Sequence, residues 1–157
     1  MKPKVYLETT VISYLTARPN RDLIVAANQQ MTYDWWHEHR DNYDLFASQT
    51  VIDEARVGDP IMAQARLAIL DKLPLLDETV EVETLAKMLV DKGPLPMKAT
   101  VDAAHIAIAA FYGMDYLLTW NCKHIANARM WPGVAMICRR HGYEPPFICT
   151  PAELLGV

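Results

Sequence analysis

Four polar side chains stand where their surroundings give them something to do: Glu8, Glu54, Asp102 and Asn121. Glu8 ends the apolar run Val5-Tyr6-Leu7, and Glu54 follows Val51-Ile52-Asp53. Asp102 is set among Val101, Ala103 and Ala104, and Asn121 follows Leu117-Leu118-Thr119-Trp120. Asp102 is the most informative. A carboxylate within an otherwise apolar helix costs free energy unless it is paired or binds a metal. At helical spacing it shares a face with His105, Ile106 and Ala109. The alternative is a solvent-facing acid in a first helical turn, where the helix dipole favours negative charge. Glu8 likewise reads either as a site residue or as a helix cap.

These residues act together only if the elements carrying them converge. Val5 to Leu7 reads as a short strand, with a helical run from about Thr10. Arg18-Pro19-Asn20-Arg21 breaks that run, and Leu23 to His39 resumes it. Leu45-Phe46-Ala47 is a second strand, after which Ser48 can cap a helix that places Val51, Ile52 and Ala55 on one side. Asp59-Pro60 starts a helix reaching about Lys72, and another covers Val82 to Lys92. Val101 to Phe111 is the most buried-looking helix, stopped by Gly113. Tyr116 to Trp120 and Phe147 to Cys149 are further strands, and Thr150-Pro151-Ala152-Glu153 is a capping box. Short apolar strands alternating with helices predict a mostly parallel sheet covered on both faces. In such sheets chemistry gathers at the carboxyl ends of the strands. No linker or repeat divides the chain, so residues 1–157 are expected to form a single α/β domain.

The motifs resemble those of the PIN-domain family. Val5-Tyr6-Leu7-Glu8-Thr9-Thr10-Val11-Ile12 is similar to its opening, a strand ending in Asp-Thr-Ser or a like triplet. Val51-Ile52-Asp53-Glu54-Ala55 resembles the helix bearing the second acid, and Asp102-Ala103-Ala104-His105-Ile106-Ala107-Ile108-Ala109 the third. Gly113-Met114-Asp115-Tyr116-Leu117-Leu118-Thr119-Trp120-Asn121 resembles the segment ending in Thr-x-Asp. Within the family, a chain of this size is most similar to VapC-like toxin ribonucleases of bacterial toxin–antitoxin pairs. The resemblance implies a PIN-like three-layer fold and a metal-dependent endoribonuclease. It also implies a homodimer and an antitoxin protein as partner. Two positions depart from the pattern: Glu8 replaces the usual Asp, and Asn121 replaces another Asp. The alternative they raise is a non-catalytic module that binds RNA or a protein partner.

Phosphodiester hydrolysis needs an acidified water and a stabilised leaving oxygen, and Mg²⁺ or Mn²⁺ can supply both. Such cations prefer oxygen ligands. Glu8, Glu54 and Asp102 are the expected metal ligands, with Asn121 contributing a neutral oxygen or a hydrogen bond to metal-bound water. Three like charges in one pocket should raise at least one carboxyl. Thr119, and less so Thr9, would support a ligating carboxylate.

The remaining candidates read more plainly. His105 is expected to make a structural contact with Asp102, one turn away. Of Trp35 and Trp36, one should be core and the other a partner contact. Cys122, His124, Cys138 and His141 lack the ligand spacing of a zinc site and read as buried thiols and surface histidines. Arg139-Arg140 reads as a solvated helix end. A formal net charge of −4 excludes a surface devoted to non-specific phosphate binding. No phosphate-cradling glycine loop is present. With no membrane-length apolar stretch, no secretory or transit pattern and an odd count of three cysteines, the expectation is a cytoplasmic protein with reduced thiols.

Overall fold

A computed structural model describes residues 1–156. Five strands form one sheet, β1 (Lys4–Leu7), β2 (Asp44–Ser48), β3 (Leu75–Leu76), β4 (Tyr116–Leu118) and β5 (Phe147–Cys149), in the order β3-β2-β1-β4-β5. Every pairing is parallel. Parallel neighbours need crossover connections, which the helices provide. Between β1 and β2 lie α1 (Thr9–Thr16) and α2 (Leu23–His39), and between β2 and β3 lie α3 (Gln49–Ala55) and α4 (Pro60–Leu70). The helices α5 (Val80–Asp91) and α6 (Thr100–Phe111) lead to β4, α7 (Trp131–Arg140) leads to β5, and α8 (Pro151–Leu155) follows.

The middle strand explains the rest. Val5, Tyr6 and Leu7 are fully buried, because helices cover both faces of the sheet and β1 pairs on both edges. The chain builds outward from β1 through β2 to β3, then crosses to the other side for β4 and β5. The strand order therefore reverses between β1 and β4. At such a switch point the loops diverge and leave a crevice at the carboxyl ends of the strands. Glu8 and Thr119, the residues just beyond β1 and β4, meet there.

Most predicted elements are present, and their local signals work as read. Ser48 Oγ accepts from the Val51 amide at 3.3 Å, and Pro60 opens α4. Gly113, with φ +65, follows α6 in the left-handed conformation that favours glycine. Two elements were not predicted. β3 is only two residues long, too short to show a period. Helix α7 begins Trp131-Pro132-Gly133, which reads as a turn. Pro132 is nevertheless tolerated in the first helical turn. Gly133 lets that turn lie against Pro94, whose ring carbons would stand 3.1 Å from an added Cβ.

Trp35 is fully buried and Trp36 half-buried against the core, so the first of the pair is the core residue. Cys138 and Cys149 are buried and Cys122 is exposed. No helix among the described residues is long and apolar enough to cross a membrane.

Candidate active site

Glu8 occupies the N-cap position of α1 immediately after β1, with extended backbone (φ −78, ψ 157), but its side chain caps no helix amide. Its amide donates to the Leu118 carbonyl at 3.0 Å, which pins it beside the end of β4. The side chain is 3% exposed. Its Oε1 accepts a hydrogen bond from Thr119 Oγ1 at 2.6 Å and a second from Thr10 Oγ1. Both hydroxyls are themselves fixed, since Thr119 Oγ1 accepts from the Asn121 amide at 2.9 Å and Thr10 Oγ1 from the Trp120 amide at 2.8 Å. Thr10 was part of the opening motif but had no assigned role. Its signal is simply a hydroxyl two residues after a strand-end acid.

Glu54 arrives from α3. Its Oε1 accepts from Thr9 Oγ1 at 2.6 Å and pairs with His105 Nε2 at 2.6 Å. Thus Thr9 and Thr119 each support a different carboxylate. Burial pushes the Glu54 carboxyl up, but the hydrogen bonds from His105 and Thr9 outweigh it, leaving the group below its ordinary 4.5. Mutual repulsion therefore does not raise Glu54.

Glu8, Glu54 and His105 offer ligand atoms that all lie within 4.8 Å of one another. Among the described residues it is the one such grouping of three or more His, Cys, Asp or Glu side chains, and the cysteines take no part. On both carboxylates it is Oε1 that the protein engages. No Lys or Arg pairs with either acid among the described residues.

Asp102, the third expected ligand, is placed differently. It sits in the first turn of α6 with a side chain 20% exposed. Asn121 Nδ2 donates to Oδ1 at 3.0 Å, and His124 Nδ1 meets Oδ2 at 3.0 Å. Asn121 also accepts the His124 amide on its Oδ1 at 3.1 Å. The expected His105–Asp102 contact does not form. His105 lies in the core with no exposure, and its ring reaches Glu54 on one side and the Tyr6 hydroxyl, at 2.7 Å, on the other. Asp102 instead leans toward the loop after β4. His124 is consequently not a surface histidine: its side chain is 13% exposed, three residues past Asn121 in a turn that sequence reading did not resolve. Asn121 has a physical reason to be an amide. It donates to Asp102, which a carboxylate cannot do.

Glu54 opens onto a hollow of about 500 Å³ lined by Gln49, Thr50, Asp53, Val57, Glu78 and Val101. Three of the lining residues, Asp53, Glu54 and Glu78, are acids, and none is basic.

A family model described as papain-like cysteine protease AvrRpt2 matches residues 23–116. That stretch contains no cysteine. Burial pushes the thiols of Cys138 and Cys149, outside it, up to about 11 and about 12, the reverse of nucleophile activation. The match thus brings no cysteine-protease site to this chain. No curated protein sequence matches the chain. Among solved structures, VapC20 of Mycobacterium tuberculosis, a sarcin-ricin loop cleaving toxin, is 16% identical with a TM-score of 0.57, covering 76% of this chain and 92% of its own. VapBC2 from Rickettsia felis, bound to a DNA fragment from its promoter, is also 16% identical, with a TM-score of 0.59 over 93% of this chain and 97% of that one. The parallel five-stranded sheet, the acids beyond its middle strand and this likeness agree: the chain has the PIN-domain fold of the VapC proteins.

Proposed function

We propose that the chain is a metal-dependent endoribonuclease that hydrolyses RNA phosphodiester bonds at Glu8 and Glu54, as the toxin of a toxin–antitoxin pair. The observation that carries this reading is the convergence of two carboxylates from different elements at the switch point of the sheet, with no Lys or Arg paired to either among the described residues. Two uncompensated acids held together are costly. A divalent cation turns that cost into binding energy.

The donor set suits a hard cation such as Mg²⁺ or Mn²⁺, with Glu8 and Glu54 as its holders. Asp102, the third expected ligand, stands outside that grouping on α6, held by Asn121 and His124, and would join the site only by giving up part of that hold. A bound cation supplies Lewis acidity, lowering the pKa of a water and offsetting charge on the phosphate. The protein's own part is positioning. Thr10 and Thr119 fix Glu8, while Thr9 and His105 fix Glu54. The hollow beside Glu54 is acidic and repels a polyanion unless positive charge enters first. Metal is then needed for RNA to approach as well as to react.

The VapC-like fold supports the remaining parts of the reading: an antitoxin protein as partner, a homodimer and a cytoplasmic setting. Incubating the purified chain with single-stranded and structured RNA, with Mg²⁺, with Mn²⁺ and with excess chelator, tests it. Cleavage only with metal is the expected result. Robust cleavage in chelator contradicts the mechanism, and inactivity on every RNA with both metals favours a non-catalytic binding module.

A further inference from the structure

Glu54, itself partly exposed, terminates an unbroken run of hydrogen bonds whose other members are buried. The Val51 amide donates to Ser48 Oγ at 3.3 Å, and Ser48 Oγ meets the Tyr6 hydroxyl at 2.7 Å. That hydroxyl meets His105 Nδ1 at 2.7 Å, and His105 Nε2 meets Glu54 Oε1 at 2.6 Å. The members come from β1, the end of β2, α3 and α6, so the run stitches together the elements that frame the site.

The ends of the run fix its direction. A backbone N–H can only donate, and a carboxylate can only accept. One polarity satisfies every group: Ser48 gives its proton to Tyr6, Tyr6 gives its proton to His105 Nδ1, and the Nε2–H goes to Glu54. With the single ring proton on Nδ1 instead, the Nε2 lone pair would face a carboxylate oxygen at 2.6 Å. With both ring nitrogens protonated, Tyr6 must turn its proton to Ser48, whose own proton then has no acceptor among the described residues. Bulk water does not reach it, because Tyr6, Ser48 and His105 are all fully buried. Burial also pushes the Tyr6 hydroxyl well above its ordinary 10.0, which keeps it a donor.

We propose that His105 is a positioning residue, locked by Tyr6 and Ser48 as its Nε2–H tautomer, that holds Glu54 by Oε1 and turns Oε2 toward the cation. Its nitrogen lies within reach of a metal, but the lone pair a metal would need is replaced by a proton committed to Glu54. The histidine therefore orients the acid, leaves its charge in place and does not ligate. This role toward a cation rests on the nuclease reading. The tautomer itself does not.

Nitrogen-15 NMR of histidine-labelled intact protein at neutral pH, before and after Mg²⁺, reads the tautomer directly. Among the five histidines, the His105 signals, assigned by their absence in His105→Gln, are expected to show a single Nε2–H form that keeps its proton at saturating Mg²⁺. An Nδ1–H or doubly protonated ring overturns the proposal, as does loss of the Nε2 proton when Mg²⁺ is added, which would make His105 a ligand. Calorimetric titration with Mn²⁺ gives the second arm. Loss of a partner that orients a ligand weakens metal binding by about 10- to 100-fold, which is the expectation for His105→Leu. His105→Gln keeps an amide donor in reach of Glu54 and should recover most of that loss. Unchanged affinity in His105→Leu contradicts the role. Should His105→Leu fail to fold, Tyr6→Phe removes only the hydroxyl that donates to Nδ1 while Glu54 still holds the Nε2–H, so the His105 Nδ1 resonance should move as that bond is lost; an unmoved Nδ1 resonance refutes the lock. If the native protein binds neither cation, the nuclease reading and the role toward a cation fall together, while the spectrum still decides the tautomer.

Discussion

Two histidine–carboxylate pairs flank this crevice, and they are built for different work. His105 and Glu54 meet at 2.6 Å with the imidazole fully buried and both ring nitrogens bonded. His124 and Asp102 meet at 3.0 Å at the rim, where both side chains keep some exposure. His124 bonds through Nδ1, and its Nε2 makes no hydrogen bond among the described residues. A buried network with every member satisfied specifies one arrangement, and it is costly to break. A rim pair with a free nitrogen can shift. The first pair fixes an acid in place; the second leaves Asp102 room to rearrange.

The largest effects should come from the acids that converge. Glu8→Gln and Glu54→Gln each remove a charge expected to hold the cation, whose contribution to catalysis is several kcal/mol. Cleavage under metal should fall by about 10²- to 10³-fold in each, as single-turnover assays would show. In metal-free protein the melting temperature should stay level or rise in Glu8→Gln, where like-charge crowding is relieved, and fall slightly in Glu54→Gln, whose carboxylate His105 and Thr9 favour.

Stability should separate the two histidines next. His105→Leu strands the Tyr6 hydroxyl and takes a donor from Glu54, and it is expected to cost about 2–4 kcal/mol by denaturant unfolding. His124→Leu acts at the rim, where solvent can take over, and should cost less than about 1 kcal/mol. Equal costs would erase the distinction between the pairs.

Much of this site was legible in the sequence. Glu8 and Glu54 converge beyond β1 and Asp102 pairs with Asn121 beyond β4, positions that strand ends and helical spacing, as local properties, reveal. The partners were not legible. Position within α6 places His105 and Asp102 on one face, yet their contacts are decided by what packs opposite: Tyr6 and Glu54 in one case, the loop after β4 in the other. That loop carries no period, and β3 is too short to carry one. Helix α7 was hidden by a proline and a glycine that its packing against Pro94 accommodates.

Asp102 and Asn121 sharpen the contrast further. Asp102 accepts from both Asn121 and His124, so Asp102→Asn should cost about 1–2 kcal/mol of metal-free stability. Asn121→Asp would set two carboxylates against each other where an amide now donates. Metal-free stability should drop, and added Mg²⁺ or Mn²⁺ should restore more of it than in the native chain. Thermal melts with and without metal check both variants, and an unperturbed melt in Asn121→Asp would mean that its side chain turns away from Asp102.

The smallest expected effect is on acid stability. The Glu54 carboxyl lies below its ordinary value in the folded chain. Such a group stabilises the fold above its unfolded pKa, and the contribution is lost as pH falls through the folded value. In the metal-free protein, replacing Glu54 with Gln should therefore flatten the loss of stability below about pH 4.5. Because the side chain is 38% exposed, the difference should be modest. Denaturant midpoints across that range would show it.

The most direct test is a calorimetric titration of Mn²⁺ into the native chain and into Glu8→Gln and Glu54→Gln. Saturable binding in the native protein that is lost or strongly weakened in both variants is the predicted result. Binding of equal strength in all three would mean that the two converging carboxylates do not hold the metal, and would contradict the assignment of this crevice as the active site.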